Sequence, residues 1–368
     1  MKLFTRFVPA LALGLIVTAS ASAQTAPAAG AVFAMTNDAT ANEIAVFERD
    51  SSGMLSAVHK VATTGMGTGA DLNSQNSLVL SPNREWLIAV NAGSDEITIF
   101  QVNGSNLQLT DKVSSGGNKP VSLAVRKDVL YVLNGGNPNN VTGFTIGTGG
   151  LLTPIPLSER PLSAAITQPA MVGWHPNGEL IIVTEKATDL VDTFAFDNNT
   201  STLGTFQTLA SSGPDPFGFA FHGNRQMLVA ESNGGLTDAG TVSTYGFQQN
   251  VLVPAVVALP TTETSSSWIV ATPNKKWVYV SNTDSDSISG LHNGATGLEL
   301  IDPTGVSATT GDGPTDLALM RNKFLYALNS LEGSISAYSI TAADGSLVQL
   351  HPPVTGLPTV GAAGLAAN

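Results

Sequence analysis

The sequence predicts an all-β protein, a seven-bladed β-propeller with four-stranded blades. Three observations lead to this prediction. The composition is rich in turn-forming residues, with 37 Gly and 20 Pro, and no long helical pattern follows the N-terminal segment. A unit of short apolar strands recurs seven times along the chain. The last residues repeat the first strand of that unit, as expected for a ring that closes on itself.

The N-terminal segment, residues 1–23, is a predicted secretory signal peptide. Lys2 and Arg6 flank the start of an apolar run over residues 7–17, and residues 21–23 read Ala-Ser-Ala, an A-x-A cleavage site. The apolar run is too short for a good membrane-spanning helix. Because the chain has no cysteine, an exported protein of this kind fits the bacterial periplasm or the medium, where it depends on its core for stability.

The rest of the chain is predicted to be a linker, residues 24–30, and the propeller, residues 31–368. The formal net charge is −12, and an acidic surface disfavours nucleic acid and anionic membranes as partners. Solubility alone also explains this charge. We expect a monomer whose partner is a small-molecule ligand or substrate.

The second blade shows the repeated unit most clearly. Residues 77–83 and 86–91 are apolar runs, as expected for strands buried on both faces, whereas residues 96–100 alternate and residues 107–109 supply a fourth strand. The second strands of successive copies end about 49 residues apart on average, a period typical of propeller blades. They end at Asn37, Asn91, Asn134, Glu185, Glu231, Asn282 and Asn329.

The two ends of the chain complement each other. The first copy lacks an innermost strand, and a spare segment, residues 360–367, follows the last copy and resembles the innermost strand at residues 121–125. We expect this segment to pair into blade one and close the ring, because closure removes the open strand edges. The alternative is a frayed C-terminus.

The ends of the second strands meet the loops that enter the innermost strands at the top of the central channel. These loops are rich in small polar residues, as in a binding funnel. The candidate ligand-binding residues at this end are Gln168, Lys186, Asn233, Trp268 and Asn282. The alternative role for Trp268, which lies on an innermost strand, is core packing. The alternative role for the asparagines is a structural one in turns.

Two carboxylates replace the strand-end asparagine in adjacent blades. Glu185 and Glu231 could act as an acid/base pair or as oxygen ligands for a hard cation. Alternatively, each carboxylate holds loop amides. The sequence has no H-x-x-x-H, H-E-x-x-H or Cys/His cluster, so a zinc site is unsupported. These motifs require no cofactor, and binding of Ca²⁺ or Mg²⁺ stays an open alternative.

The basic residues gather at the opposite end of the innermost strands. Only Lys119 and Lys186 remain near the funnel, which has no guanidinium fork for a phosphate, so a phosphorylated substrate is disfavoured. The residues at the opposite end are Arg84, Arg126, Arg225, Lys275, Lys276 and Arg321.

The repeated turn, S-P-N or H-P-N-G, followed by an apolar strand that ends in Asn or Glu, resembles the seven-bladed lactonase family of propellers. That family includes 6-phosphogluconolactonases and carboxymuconate-cyclising enzymes, and the resemblance covers residues 31–367. The family carries a P-H-x-H motif entering its fourth blade and a G-P-R-H motif entering its fifth. Residues 169–172 read Pro-Ala-Met-Val and residues 213–216 read Gly-Pro-Asp-Pro, so the imidazoles and the guanidinium are replaced. Of this pattern only the Glu that ends the second strand of the fifth blade carries over, as Glu231.

Two functions are therefore open. The first is a hydrolase or lactonising cyclase that acts on a neutral lactone or sugar-derived compound, with Glu231 as general base and Glu185 or Asp215 orienting it. The second is a non-enzymatic propeller that binds a ligand or serves as a scaffold. The replaced motifs favour the second function, whereas the precedent of the fold favours the first.

Overall fold

The computed structural model describes residues 1–3, 29–294 and 297–368. The predicted signal peptide beyond residue 3, and the predicted linker up to residue 28, lie outside the described residues. Within the described part, no helix has the length and apolar character needed to cross a bilayer.

The structure confirms the predicted fold: seven antiparallel four-stranded sheets are arranged in a ring. In each blade the strands run in sequence order from the channel outward, except in the first blade, where the C-terminal strand lies innermost. Blade 1 contains β1 (Gly30–Met35), β2 (Glu43–Arg49), β3 (Leu55–Ala62) and β30 (Ala363–Ala367). Blade 2 contains β4 (Leu78–Leu80), β5 (Trp86–Asn91), β6 (Glu96–Asn103) and β7 (Asn106–Ser114).

The fourth strand is divided into two pieces in the third and sixth blades. Both pieces pair with the third strand of their blade. Blade 3 contains β8 (Pro120–Arg126), β9 (Val129–Asn134), β10 (Asn140–Ile146), β11 (Leu152–Pro154) and β12 (Arg160–Pro161). Blade 6 contains β21 (Ser266–Ala271), β22 (Trp277–Asn282), β23 (Ser287–Asn293), β24 (Leu298–Leu300) and β25 (Ala308–Thr309).

The remaining blades keep the undivided four-strand pattern. Blade 4 contains β13 (Pro169–Trp174), β14 (Leu180–Glu185), β15 (Leu190–Asp197) and β16 (Thr202–Ala210). Blade 5 contains β17 (Pro216–Phe221), β18 (Gln226–Glu231), β19 (Thr241–Gln248) and β20 (Val251–Pro260). Blade 7 contains β26 (Pro314–Met320), β27 (Phe324–Asn329), β28 (Ser334–Ile340) and β29 (Leu347–Thr355).

Burial follows the position of a strand in its blade. The second strands β5, β14 and β22 are buried at every residue, because each blade packs against a neighbour on both faces. The third strand β15 is buried at its centre and becomes exposed toward its far end. These patterns match the continuous and alternating apolar runs of the sequence.

The predicted closure of the ring is confirmed. Strand β30 pairs antiparallel with β1, with Val32 opposite Ala367 and Ala34 opposite Leu365. The backbone N–H of Leu365 also donates to Oδ2 of Asp316 in blade 7, at 3.0 Å. The C-terminal strand therefore joins the last blade to the first.

Candidate functional site

The segment of residues 72–76, here called the channel plug, crosses the central channel. Gln75 donates its backbone N–H to Ala170 O in blade 4, at 2.9 Å. Its side chain bonds both backbone groups of Ile269 in blade 6, donating from Nε2 at 2.8 Å and accepting at Oε1 at 3.2 Å. Ser74 Oγ donates to Val121 O in blade 3, at 2.8 Å. One segment from the loop between blades 1 and 2 thus reaches blades 3, 4 and 6.

A glycine in blade 5 makes room for the channel plug. A Cβ atom at Gly218 would lie 1.9 Å from Oε1 of Gln75, a distance no real contact reaches. Any larger residue at this position would displace the amide that holds Ile269. The plug divides the channel into an upper chamber of about 680 Å³ and a lower chamber of about 430 Å³.

The upper chamber lies at the predicted funnel end of the molecule. Four residues singled out in the sequence line it: Gln168, Lys186, Asp215 and Trp268. Lys119, which the sequence places near the funnel, lines the chamber as well, and so do residues that were not among the candidate ligand-binding residues, among them Asp71, Asn73, Phe217, Ser232 and Asp284.

Lys186 projects into the upper chamber from the end of β14. Its Nζ donates to Asn73 O of the channel plug at 2.5 Å and lies 4.4 Å from the centre of the Phe217 ring. Burial lowers the pKa of Lys186 to about 8, while the carboxylates of Asp215 and Asp71 act in the opposite direction. The ammonium is therefore a cation at neutral pH and loses its proton in mildly alkaline solution.

Asp215 is placed by a strained turn at the entrance to β17. Its backbone adopts φ 57°, and its N–H donates to Oδ1 of Asp189 at 2.7 Å. The hydroxyl of Ser232 donates to Oδ2 of Asp215. Among the described residues no donor bonds the other oxygen, Oδ1, which leaves this oxygen free to act on a ligand.

The other two predicted residues in the chamber contribute mainly to its walls. Trp268 is 2% exposed; its Nε1 donates to Ser74 O of the channel plug at 3.0 Å, and its ring packs 4.6 Å from that of Phe217. Core packing, the alternative weighed for this aromatic residue, accounts for these contacts. Gln168 has φ 48° and lies in the loop that enters β13.

Glu231 lies behind the chamber wall. It is fully buried; its Oε1 accepts the N–H of Gly213 at 3.0 Å, and its Oε2 accepts the hydroxyl of Thr241 at 2.6 Å. Burial raises the pKa of Glu231, and the hydroxyls of Ser243 and Thr241 oppose this rise. The neighbouring residue Ser232, and not Glu231, lines the upper chamber. The geometry is that of a carboxylate holding one loop amide and one strand hydroxyl. A catalytic role for Glu231 stays a prediction.

Two of the predicted binding residues, Asn233 and Asn282, make local bonds and do not line the chamber. Asn282 is fully buried, with Oδ1 accepting from Ser266 Oγ and Nδ2 donating to the hydroxyls of Ser287 and Ser289. Asn233 donates to Thr241 Oγ1 at 3.2 Å. These bonds join neighbouring strand ends, which is the turn role expected of asparagine.

Glu185 forms a buried carboxyl pair with Asp192 of β15. Both residues are fully buried, and Glu185 accepts hydrogen bonds from the hydroxyls of Ser163 and Thr188. Neither oxygen of Asp192 has a donor in normal geometry within the described chain. Burial, and then the adjoining Glu185, raise the pKa of Asp192 to about 9. Asp192 therefore keeps its proton at neutral pH and can donate it in a hydrogen bond to Glu185.

This carboxyl pair makes stability depend on pH. An unfolded Asp releases its proton near its ordinary pKa of 3.8, whereas folded Asp192 keeps it until about 9, so stability falls as the pH rises between these values. We expect Asp192→Asn to flatten this fall by up to about 1.4 kcal/mol per pH unit, because the amide can donate to Glu185 without a titrating proton. Melting temperatures measured from about pH 5 to about pH 8.5 test the effect.

The control for this experiment is Asp128→Asn, at an exposed position in the turn after β8. This variant should keep the parent's dependence on pH. An equal slope for Asp192→Asn and the parent would contradict the retention of a proton on folded Asp192.

The channel plug is what the sequence reasoning missed. The sequence places the polar loop that contains the plug at the funnel, but it does not predict that this loop crosses the channel. Its length was the available signal: 15 residues separate β3 from β4, and loops this long without strands or helices are uncommon and are often functional.

No three His, Asp or Glu side chains in the described residues are grouped to hold a metal ion.

Comparison with known proteins gives a family match over most of the chain. The family model described as "Lactonase, 7-bladed beta-propeller" matches residues 38–162 and 158–360. No curated protein matches the sequence.

Solved structures of the same shape share little sequence with this chain. A protein from Lactobacillus plantarum superposes with a TM-score of 0.74 at 17% identity, over 92% of this chain and 98% of its own. The periplasmic gluconolactonase of Pseudomonas aeruginosa gives 0.71 at 14% identity, over the same shares. A candidate 6-phosphogluconolactonase from Bacteroides fragilis gives 0.70 at 16% identity, again over 92% and 98%. At these identities the likeness establishes the fold alone.

Proposed function

The chain belongs to the lactonase family of seven-bladed β-propellers, and from this premise we propose that it hydrolyses an unphosphorylated lactone in the upper chamber. The observation that carries the proposal is that Lys186 and Asp215 both line the upper chamber. An ammonium and a carboxylate with one free oxygen line the same cavity of about 680 Å³, a volume suited to a small ligand.

The proposed chemistry uses both charges. Asp215 takes a proton from a water molecule, and the water oxygen attacks the lactone carbonyl carbon. The Lys186 ammonium donates to the carbonyl oxygen as it gains negative charge. The bond between the carbonyl carbon and the ring oxygen then breaks, the ring oxygen takes up the proton from Asp215, and an open-chain hydroxy acid leaves.

The lining of the chamber favours a substrate without a phosphate group. Two ammonium groups, Lys119 and Lys186, face the carboxylates Asp71, Asp215 and Asp284. Asp215 occupies the place of the arginine in the family's G-P-R-H motif, which reverses the charge at that point. A phosphate dianion would meet this carboxylate without a guanidinium fork to hold it. Because a relative is named a gluconolactonase, an aldonolactone is the first substrate to try.

The experiment is hydrolysis of a panel of aldono- and aromatic lactones across pH, with spontaneous hydrolysis subtracted. We expect kcat/KM of the parent to fall above about pH 8, where Lys186 loses its proton. In Lys186→Gln this alkaline decline should disappear and the rate should be low throughout, since the neutral amide stabilises the oxyanion less well.

A matched control is Lys112→Gln, which removes an ammonium that pairs with Glu96 at 2.7 Å on β6 and β7. This variant should keep the parent's profile. Saturable binding of a lactone without turnover would instead support the alternative function, a ligand-binding propeller.

We also propose export to the periplasm or medium. The charged, apolar and A-x-A segments of residues 1–23 support it, as does the periplasmic location in the name of the Pseudomonas relative. Mass spectrometry of the protein from the periplasm of an expression host should show a chain starting at Gln24; a chain retained in the cytoplasm with residues 1–23 intact would contradict export.

A further inference from the structure

The lower chamber has a different character from the upper one. It is walled by the innermost strands of six blades, and half-buried apolar side chains project into it, among them Val79, Leu80, Val125, Trp174, Phe221 and Leu319. Water is held poorly in such a space, because an enclosed water molecule needs several polar partners. A hydrocarbon chain would gain from burial against the same walls.

The channel plug closes this chamber from above. Asn76, whose backbone carbonyl accepts the N–H of Leu123 at 2.9 Å, forms part of the roof. The hydrogen bonds of Gln75 to blades 4 and 6 hold the roof in place. A ligand of the lower chamber must therefore enter from the lower face and would not meet Asp215 or Lys186.

The lower face is basic in an otherwise acidic chain. Six turns that join a first strand to a second strand, in blades 2 to 7, form this face. Together with Arg126, the last residue of β8, they carry eight Lys or Arg and only three Asp or Glu. The whole chain, by contrast, has a formal net charge of −12. Such a local excess of positive charge attracts anions.

Three guanidinium groups, here called the basic rim, lie beside the mouth of the lower chamber. Arg126 lies 5.6 Å from the centre of the Trp174 ring, which lines the chamber. Arg84 contacts Sδ of Met320 at 3.5 Å, next to the lining residue Leu319. Arg321 follows Met320 directly and is exposed.

The basic rim lacks acidic partners. Burial, and then the charges of Arg321 and Arg49, lower the pKa of Arg84, so like charges are close together at this point. None of the ion pairs in the described residues involves Arg84, Arg126 or Arg321. Guanidinium groups without carboxylate partners are well suited to bind an anionic head group.

From the apolar walls and the basic rim, we propose that the lower chamber is a second binding site that takes an amphipathic carboxylate, with its hydrocarbon chain in the channel and its head group on Arg84, Arg126 and Arg321. This site is independent of the lactone site above the plug. Failure to detect lactone hydrolysis would therefore not count against this second site.

The test is binding of dodecanoate, below its micelle concentration, followed by calorimetry and by tryptophan fluorescence. We expect saturable binding that weakens at least about tenfold in the double variant Arg84→Gln/Arg126→Gln, since each charged hydrogen bond contributes substantially. Dodecanol should bind at least about tenfold more weakly than dodecanoate, and butanoate should not saturate the site. The fluorescence change should vanish in Trp174→Phe, while the calorimetric signal remains.

Lys60→Gln, which removes one positive charge at a half-exposed position on the outer strand β3, is the control and should bind as the parent does. If the double variant fails to fold, Arg321→Gln, at an exposed position, replaces it. Equal affinity for dodecanol and dodecanoate, unchanged binding in the arginine variants, or no saturable binding would overturn the proposal. If the protein sediments with phosphatidylglycerol vesicles but does not bind dodecanoate, the proposal is also overturned, because the basic face would then bind a membrane surface.

Discussion

Removal of residues 362–368 is expected to abolish the cooperative unfolding transition of the propeller. The truncation deletes β30, whose five residues are all buried, and leaves the edge of β1 without a partner. It also takes away the N–H of Leu365 from the buried carboxyl group of Asp316. The expected loss is at least about 5 kcal/mol, comparable with the whole stability of many domains. Calorimetry and near-ultraviolet circular dichroism of the truncated protein measure it.

The control separates strand loss from a mere change at the terminus. Val360→Ser alters a side chain that is 62% exposed just before the closing strand and should leave the melting temperature within a few degrees of the parent. A truncated protein with the parent's transition would show that the ring does not depend on β30, contrary to the pairing described above.

The second large effect concerns the upper chamber. Asp215→Asn is expected to lower kcat for lactone hydrolysis by at least about 100-fold, the scale of losing a general base. The amide keeps the shape of the carboxylate, and its oxygen can still accept the hydroxyl of Ser232, so the turn should persist. Rates are measured on the best lactone of the panel, and melting temperatures confirm that the fold is unchanged.

Glu231→Gln distinguishes the two candidate bases. Because Glu231 is fully buried and bonded at both oxygens, this change should lower the melting temperature while kcat stays within several-fold of the parent. The opposite result, a large loss of kcat in Glu231→Gln with Asp215→Asn still active, would restore the first expectation from the sequence, in which Glu231 is the base.

The blades and the closing strand could be predicted because they are periodic. Each second strand repeats the same apolar run and ends in Asn or Glu, and the segment at residues 360–367 resembles a known innermost strand. Local pattern and topology suffice for such features. The direction of a side chain at the end of a strand follows instead from its neighbours. Asn329 donates to Ser334 and Ser336 in the place where Glu185 meets Asp192, and the sequence alone did not reveal this local pairing.

The channel plug was beyond sequence reasoning for a different reason. Its position depends on hydrogen bonds between residues far apart in the chain, such as Gln75 and Ile269, which are separated by 194 residues in sequence. No short-range pattern records such a contact. Asp215 and Lys186 could be placed near the funnel from the repeat, but their shared chamber, with the plug as its floor, required the folded ring.

The pairing of β1 with β30 also determines the order in which the molecule can be completed. The N–H of Ala31 donates to Asn368 Oδ1, a contact that spans 337 positions. During synthesis the inner edge of β1 stays unpaired until residues 363–367 have left the ribosome. Contacts of such high sequence separation form slowly, since the loop-closure entropy is lost before the strand pairing forms. Blades 2 to 7 hold complete sets of their own strands and can assemble earlier, so the final step is the capture of one short strand by a nearly finished ring. Until that capture, the ring stays open between blades 1 and 7.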